Sequence, residues 1–204
     1  MPPSRVKTAF ERVLGQFEFS HAWVADLDAR QPSSLCYLLS SERRDKEPAM
    51  MRITPGDFSD HRVIDLLRIH LTSARAETAR GSAHALDLTE LQSPDISFWT
   101  IWEGEVLLGI GALKRLSPDH GEVKSMHTAQ SARRRGVGGA MLRHIIASAR
   151  KSGMSRLSLE TGSWEYFRPA QALYSSHGFV ECAPFADHVL DPNSVFMSLD
   201  LRGP

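Results

Sequence analysis

Lys124-Ser125-Met126-His127-Thr128, followed shortly by Arg133-Arg134-Arg135-Gly136-Val137-Gly138-Gly139, is the stretch on which the fold turns. The first piece has extended character. The second is a basic, glycine-rich turn, after which Met141, Leu142, Ile145, Ile146 and Ala149 share one face of a helix predicted from about Val137 to Lys151. A helix start presents unpaired backbone N–H groups and the positive end of the peptide dipole, so phosphate oxygens are favoured there. Gly136, Gly138 and Gly139 let a diphosphate come close to the backbone amides, and Arg133, Arg134 and Arg135 surround it with charge. A solvated basic turn ahead of an ordinary helix has the same composition.

Upstream, Met50 to Pro55 reads as a short strand, and Val63, Ile64, Leu67 and Leu71 fall at helical spacing in a helix ending near Ala76. A short helix is expected over Leu86 to Leu91. Ile96 to Trp102 and Val106 to Leu116, separated by Glu103-Gly104, read as a hairpin, with a third extended segment from Glu122 to Thr128. Downstream, Gly153 ends the long helix and Leu157 to Glu160 forms a strand. A further helix carries Ala170, Leu173 and Tyr174 as far as Gly178, and Val195 to Leu199 alternates into a last strand. A hairpin before a strand-helix-strand crossover makes the class mixed α/β.

The length of 204 residues suits one domain with an extra segment. Residues 50–204 are read as the domain. Residues 1–49, which end in the charged run Glu42 to Pro48, are read as an N-terminal extension or linker, a translation start near Met50 being the other explanation. Lys and Arg balance Asp and Glu at 24 each, so no global field draws the chain to nucleic acid or an anionic membrane. No apolar run is long enough for a signal peptide or a membrane span, and Cys36 and Cys182 have no metal spacing, so a cytoplasmic protein with reduced thiols and no metal is expected. Cys182 is read as a packing residue. The histidines form no compact ligand set and no GxSxG elbow is present.

Two phosphate motifs, GxxxxGK[ST] and GxGxxG after a strand, are missing, which takes weight from ATP and NAD. Arg133, Gly136 and Gly138 instead stand at the three positions of an RxxGxG signature. With Gly121 to Met126, Leu159 to Gly162, Ala170 to Tyr174 and Asp191 to Met197, the chain resembles the GNAT superfamily of N-acetyltransferases over Met51 to Leu201. The resemblance implies a central mixed, mostly antiparallel sheet flanked by helices, whose strands splay at an acetyl-CoA site. It also implies direct transfer of an acetyl group to a primary amine of a small molecule or peptide, in a monomer or homodimer. A non-catalytic acyl-CoA-binding sensor or interaction module is the other class that keeps such a site.

By the same resemblance, Met126 and Thr128 pair through their backbone with the pantetheine arm. Backbone amides from about Arg134 through Gly136, Val137 and Gly138 to Gly139 hold the pyrophosphate, and Tyr174 lies near the thioester sulfur as the acid for the departing thiolate. Without the family pattern Tyr174 reads as a core residue. Phe167 departs from the family, which often has Asn at that place, and its side chain offers no hydrogen bond to the pantetheine. The attacking amine must lose a proton. Glu122 is the candidate base, because it shares strand parity with Met126 and Thr128, with a surface strand-end glutamate as the plain reading. Glu160 is a second candidate. His84 to Asp87 and Phe185 to His188 are possible polar contacts to the acceptor, whose identity the sequence leaves open.

Overall fold

The computed structural model describes residues 50–76 and 88–203. The expected extension over residues 1–49 and the acceptor contacts at His84 to Asp87 lie outside the described residues. In chain order the elements are β1 (Met51–Pro55), α1 (His61–Ala76), β2 (Ile96–Glu103), β3 (Val106–Arg115), β4 (His120–Thr128), α2 (Val137–Lys151), β5 (Arg156–Gly162), α3 (Arg168–Ser176), β6 (Val180–Glu181) and β7 (Ser194–Asp200). The strands form one seven-stranded sheet in the order β1-β2-β3-β4-β5-β7-β6. Every pairing is antiparallel except that of β4 with β5, which α2 connects as a crossover. The sheet is thus mixed and mostly antiparallel, with helices on both faces.

Two differences from the sequence reading are local. Where a short helix was expected over Leu86 to Leu91, the described part is a turn at Leu88 and Thr89 and a single 3-10 turn, Glu90–Gln92. The Leu157 to Glu160 strand runs further, to Gly162, because β7 pairs with it along its whole length.

Each face of the sheet has its own core. On one, Val63, Leu66 and Leu67 of α1 pack with Leu91, Phe98, Trp102, Ile110 and Ala112. On the other, Val137, Met141, Leu142, Ile145 and Ala149 of α2 pack against Ile101, Leu113, Val123, Leu157 and Leu159, with Tyr174 and Phe179 closing the end. Fully burying an aliphatic side chain contributes about 1.5–3 kcal/mol, so this stripe of apolar residues fixes the height at which α2 begins. The helix starts at Val137, where Gly136 takes a left-handed conformation (φ 79°) that other residues adopt only with strain. Gly153 (φ 78°) and Gly178 (φ 88°) end α2 and α3 in the same conformation.

Candidate active site

The parallel pairing of β4 and β5 is brief. It holds His120 to Arg156, Gly121 to Leu157 and Glu122 to Ser158 and then stops, so from Val123 to Thr128 strand β4 has β3 on one side and, among the described residues, no strand on the other. The sheet therefore opens into a fork directly after Glu122. A bulge accompanies the opening. Ala112 faces Lys124 but Ile110 faces His127, which leaves Ser125 and Met126 opposite Gly111, and Ser125 takes a left-handed conformation (φ 51°). The Ser125 hydroxyl is buried without a hydrogen-bond partner. Left-handed non-glycine residues are strained, and among the described residues the other two are Arg134, in the basic turn, and Ala186, two residues before His188.

The bulge corrects the parity expected of Glu122. An extra residue inverts the alternation of side chains along a strand. Glu122 and Lys124 lie on the α1 face with their partners Lys114 and Ala112. Beyond the bulge Met126 points the other way: a Cβ on Gly111 would meet Met126 Sδ at 3.0 Å beside Met141 and Ile145 of α2. Thr128 also faces α2, since a Cβ on Gly138 would stand 3.6 Å from Thr128 Oγ1 and 3.1 Å from Leu173 Cδ2. The strand end, the first turn of α2 and α3 thus converge at Gly138.

At that convergence the helix start is bare. Ala140 is the first donor of an intrahelical bond, to Gly136 O at 2.9 Å, and no side chain caps the turn. The N–H groups of Val137, Gly138 and Gly139 therefore precede the helical ladder, and nothing bulkier than hydrogen stands on Gly136, Gly138 or Gly139. These features fit a diphosphate, and the unpartnered edge of β4 fits an extended arm. The three arginines are not equivalent. Arg135 is engaged elsewhere, donating through Nη2 to both Glu103 carboxylate oxygens at 2.6 and 2.8 Å. Arg133 and Arg134 are exposed, and the charge of Arg133, after burial, helps hold His127 below the usual histidine range.

On the α1 face the fork is lined by ionisable groups. Glu122 is only 2% exposed. Its Oε1 accepts from Lys124 Nζ at 3.1 Å and faces His188 Nε2 at 2.9 Å. The other nitrogen of that ring, Nδ1, lies 3.2 Å from Glu160 Oε2, and Glu160 Oε1 accepts from Ser194 Oγ at 2.6 Å. Both carboxylates weighed in the sequence thus meet one histidine. Buried charges are tolerated only when paired and hydrogen-bonded, as these are. His188 belonged to the loosely assigned segment Phe185 to His188. Nothing in its spacing marks it, because residues 122, 160 and 188 are joined only by the sheet and the loop that covers it. Beside this group His120 Nε2 is 2.8 Å from Ser158 Oγ, and burial, then Arg156, hold His120 below its ordinary range.

Tyr174 projects from α3 into the core on the α2 face, 7% exposed, with its ring 5.9 Å from that of Phe179. Burial pushes its hydroxyl up to about 12, so it keeps its proton at neutral pH. Phe167 ends the 3-10 turn before α3 and closes over Gly162. Cys182, expected to pack, is exposed. Among the described residues no group of His, Cys, Asp and Glu could hold a metal ion, and no helix is long and apolar enough to cross a membrane.

Residues 52–179 match the Acetyltransferase (GNAT) family. The chain is similar to the uncharacterized N-acetyltransferase YsnE of Bacillus subtilis (strain 168), 50% identical over 151 residues that cover 74% of this chain and 100% of that protein. It is also similar to the uncharacterized N-acetyltransferase YedL of Escherichia coli (strain K12), 46% identical over 152 residues, 74% of this chain and 96% of the other. A solved Bacillus subtilis acetyltransferase in complex with CoA superposes with a TM-score of 0.56 at 20% identity, over 74% of this chain and 98% of that one, which speaks for the fold alone.

Proposed function

The chain belongs to the acetyltransferase (GNAT) family, and from that premise we propose that it transfers an acetyl group from acetyl-CoA to a primary amine of a small molecule or peptide, directly and without a covalent enzyme intermediate. The observation that carries this reading is the fork: β4 loses its β5 partner directly after a buried carboxylate, and its far end meets the bare start of α2.

The parts have separate tasks. The N–H groups of Val137, Gly138 and Gly139 take the pyrophosphate oxygens, with Arg133 and Arg134 adding charge at the rim. The free edge of β4 through Met126 and Thr128 hydrogen-bonds the pantetheine arm as an added strand would. The bound thioester supplies an activated acetyl carbonyl. Glu122 takes the proton from the amine as its nitrogen bonds to that carbonyl carbon, and Tyr174, kept protonated by burial, gives its proton to the sulfur as the carbon–sulfur bond breaks. Amide and thiol leave, and solvent restores both groups.

The test is release of the coenzyme A thiol from acetyl-CoA by the full chain, in a panel of primary amines comprising alkylamines, amino acid amides and a short peptide with a free N-terminus. Amine-dependent, saturable release is expected, falling about 10²-fold in Glu122→Gln. Acetyl-CoA binding without release in any amine would overturn the catalytic reading in favour of an acyl-CoA-binding module.

A further inference from the structure

The two oxygens of Glu122 differ in their surroundings. Oε1 faces both Lys124 Nζ and His188 Nε2, while among the described residues nothing donates to Oε2. Lys124 is a neighbour on the same strand. His188 arrives from the segment between β6 and β7, remote in sequence, and its ring is held by a second carboxylate and by two aromatic rings. Glu160 Oε2 stands 3.2 Å from Nδ1, and the rings of Phe185 and Phe196 pack at centroid distances of 4.8 and 5.7 Å. Phe185 in turn packs on Phe196 at 6.0 Å and on His120 at 5.6 Å. A ring so fixed is a rigid donor, and when it carries a proton on both nitrogens it donates to both carboxylates at once.

We propose that His188 is a positioning residue for the transfer: anchored by Glu160, it occupies Oε1 of Glu122 together with Lys124 and so turns Oε2 to the amine as the oxygen that takes its proton. The inference rests on Glu122 being the base. It gives Glu160 a role other than second base, that of orienting the histidine, as a carboxylate commonly orients a catalytic imidazole. It also ties the loop over residues 182–193 to the acid–base step. A carboxylate free to rotate would offer either oxygen, and a misplacement of about 1 Å at a reacting group costs as much as 10²-fold in rate.

A double-mutant cycle in the full chain tests this, read as kcat with the best amine of the panel at saturating acetyl-CoA. Glu122→Gln is expected to lower kcat about 10²-fold and His188→Ala about tenfold, with KM for acetyl-CoA unchanged in both. If His188 works only through Glu122, the double variant is no slower than Glu122→Gln alone. His188→Gln, which keeps an N–H donor, should recover most of the loss. His188→Asn is carried through the same cycle, so that a folding failure of the alanine variant leaves a second measurement to decide. Multiplicative losses in the double variant, or unchanged kcat in the folded His188→Ala or His188→Asn variant, would overturn the proposal while leaving Glu122 as base. An unchanged rate in Glu122→Gln alone would remove the base, and the role of His188 with it.

Discussion

The ring of Phe167 closes over Gly162 so tightly that a Cβ on the glycine would stand 2.2 Å from Phe167 Cδ2. Gly162 O also accepts from Gln171 Nε2 at 2.7 Å, so the end of β5 anchors the start of the helix that carries Tyr174. Gly162→Ala must displace an aromatic ring. It is expected to destabilise the fold by about 1–3 kcal/mol, read as a lower urea midpoint at unchanged slope. A midpoint equal to wild type would mean that the ring moves aside freely.

Gly138 faces Leu173 and Thr128 at the bare start of α2. Gly138→Asp sets a carboxylate where the phosphates are expected, reversing the local electrostatics. Calorimetric titration should show acetyl-CoA binding weakened at least 10²-fold, with far-UV circular dichroism unchanged. Full affinity in the folded variant would place the pyrophosphate elsewhere.

With its hydroxyl raised to about 12 by burial, Tyr174 keeps its proton throughout the neutral range, as the proposed acid must. Tyr174→Phe removes that proton and little volume. The expected result is kcat reduced about 10- to 100-fold with the acetyl-CoA dissociation constant unchanged. If turnover survives intact, solvent protonates the sulfur and Tyr174 is a packing residue.

Stability should fall on mild acidification. Burial, reinforced by the charges of His127 and Lys124, holds His70 down at about 4 against an ordinary 6.5. Between those values the unfolded chain binds a proton that the folded chain refuses, so the contribution of His70 is complete above pH 6.5 and declines as the pH falls toward 4. His120, His127 and His144 are lowered too and act in the same direction. The loss from His70 is on the order of 2 kcal/mol. Urea unfolding of wild type and His70→Gln at pH 7 and pH 5 measures it. The variant should lose less stability than wild type between the two, and equal losses would assign the acid sensitivity to other groups.

Local pattern carried most of the architecture. The spacing of Met141, Leu142, Ile145, Ile146 and Ala149 defined α2 from Val137 to Lys151, and glycines marked its end and that of α3. The hairpin, the crossover and the bare glycine turn were all readable because each depends on residues within a few positions of one another. The bulge was not. Ser125 has no special composition, and its left-handed conformation is imposed where the register of β3 with β4 slips.

By itself the sequence determined the order of elements, the basic glycine turn at the start of α2 and the two carboxylates worth weighing, since periodicity and turn chemistry are local properties of a chain. Only the tertiary structure decided that the sheet forks directly after Glu122, that Arg135 is engaged by Glu103, and that Glu122 and Glu160 share His188. Those relations join residues tens of positions apart. They come from strand register and from a loop laid across the sheet, and both follow from burying the whole core together rather than from any segment of the chain alone.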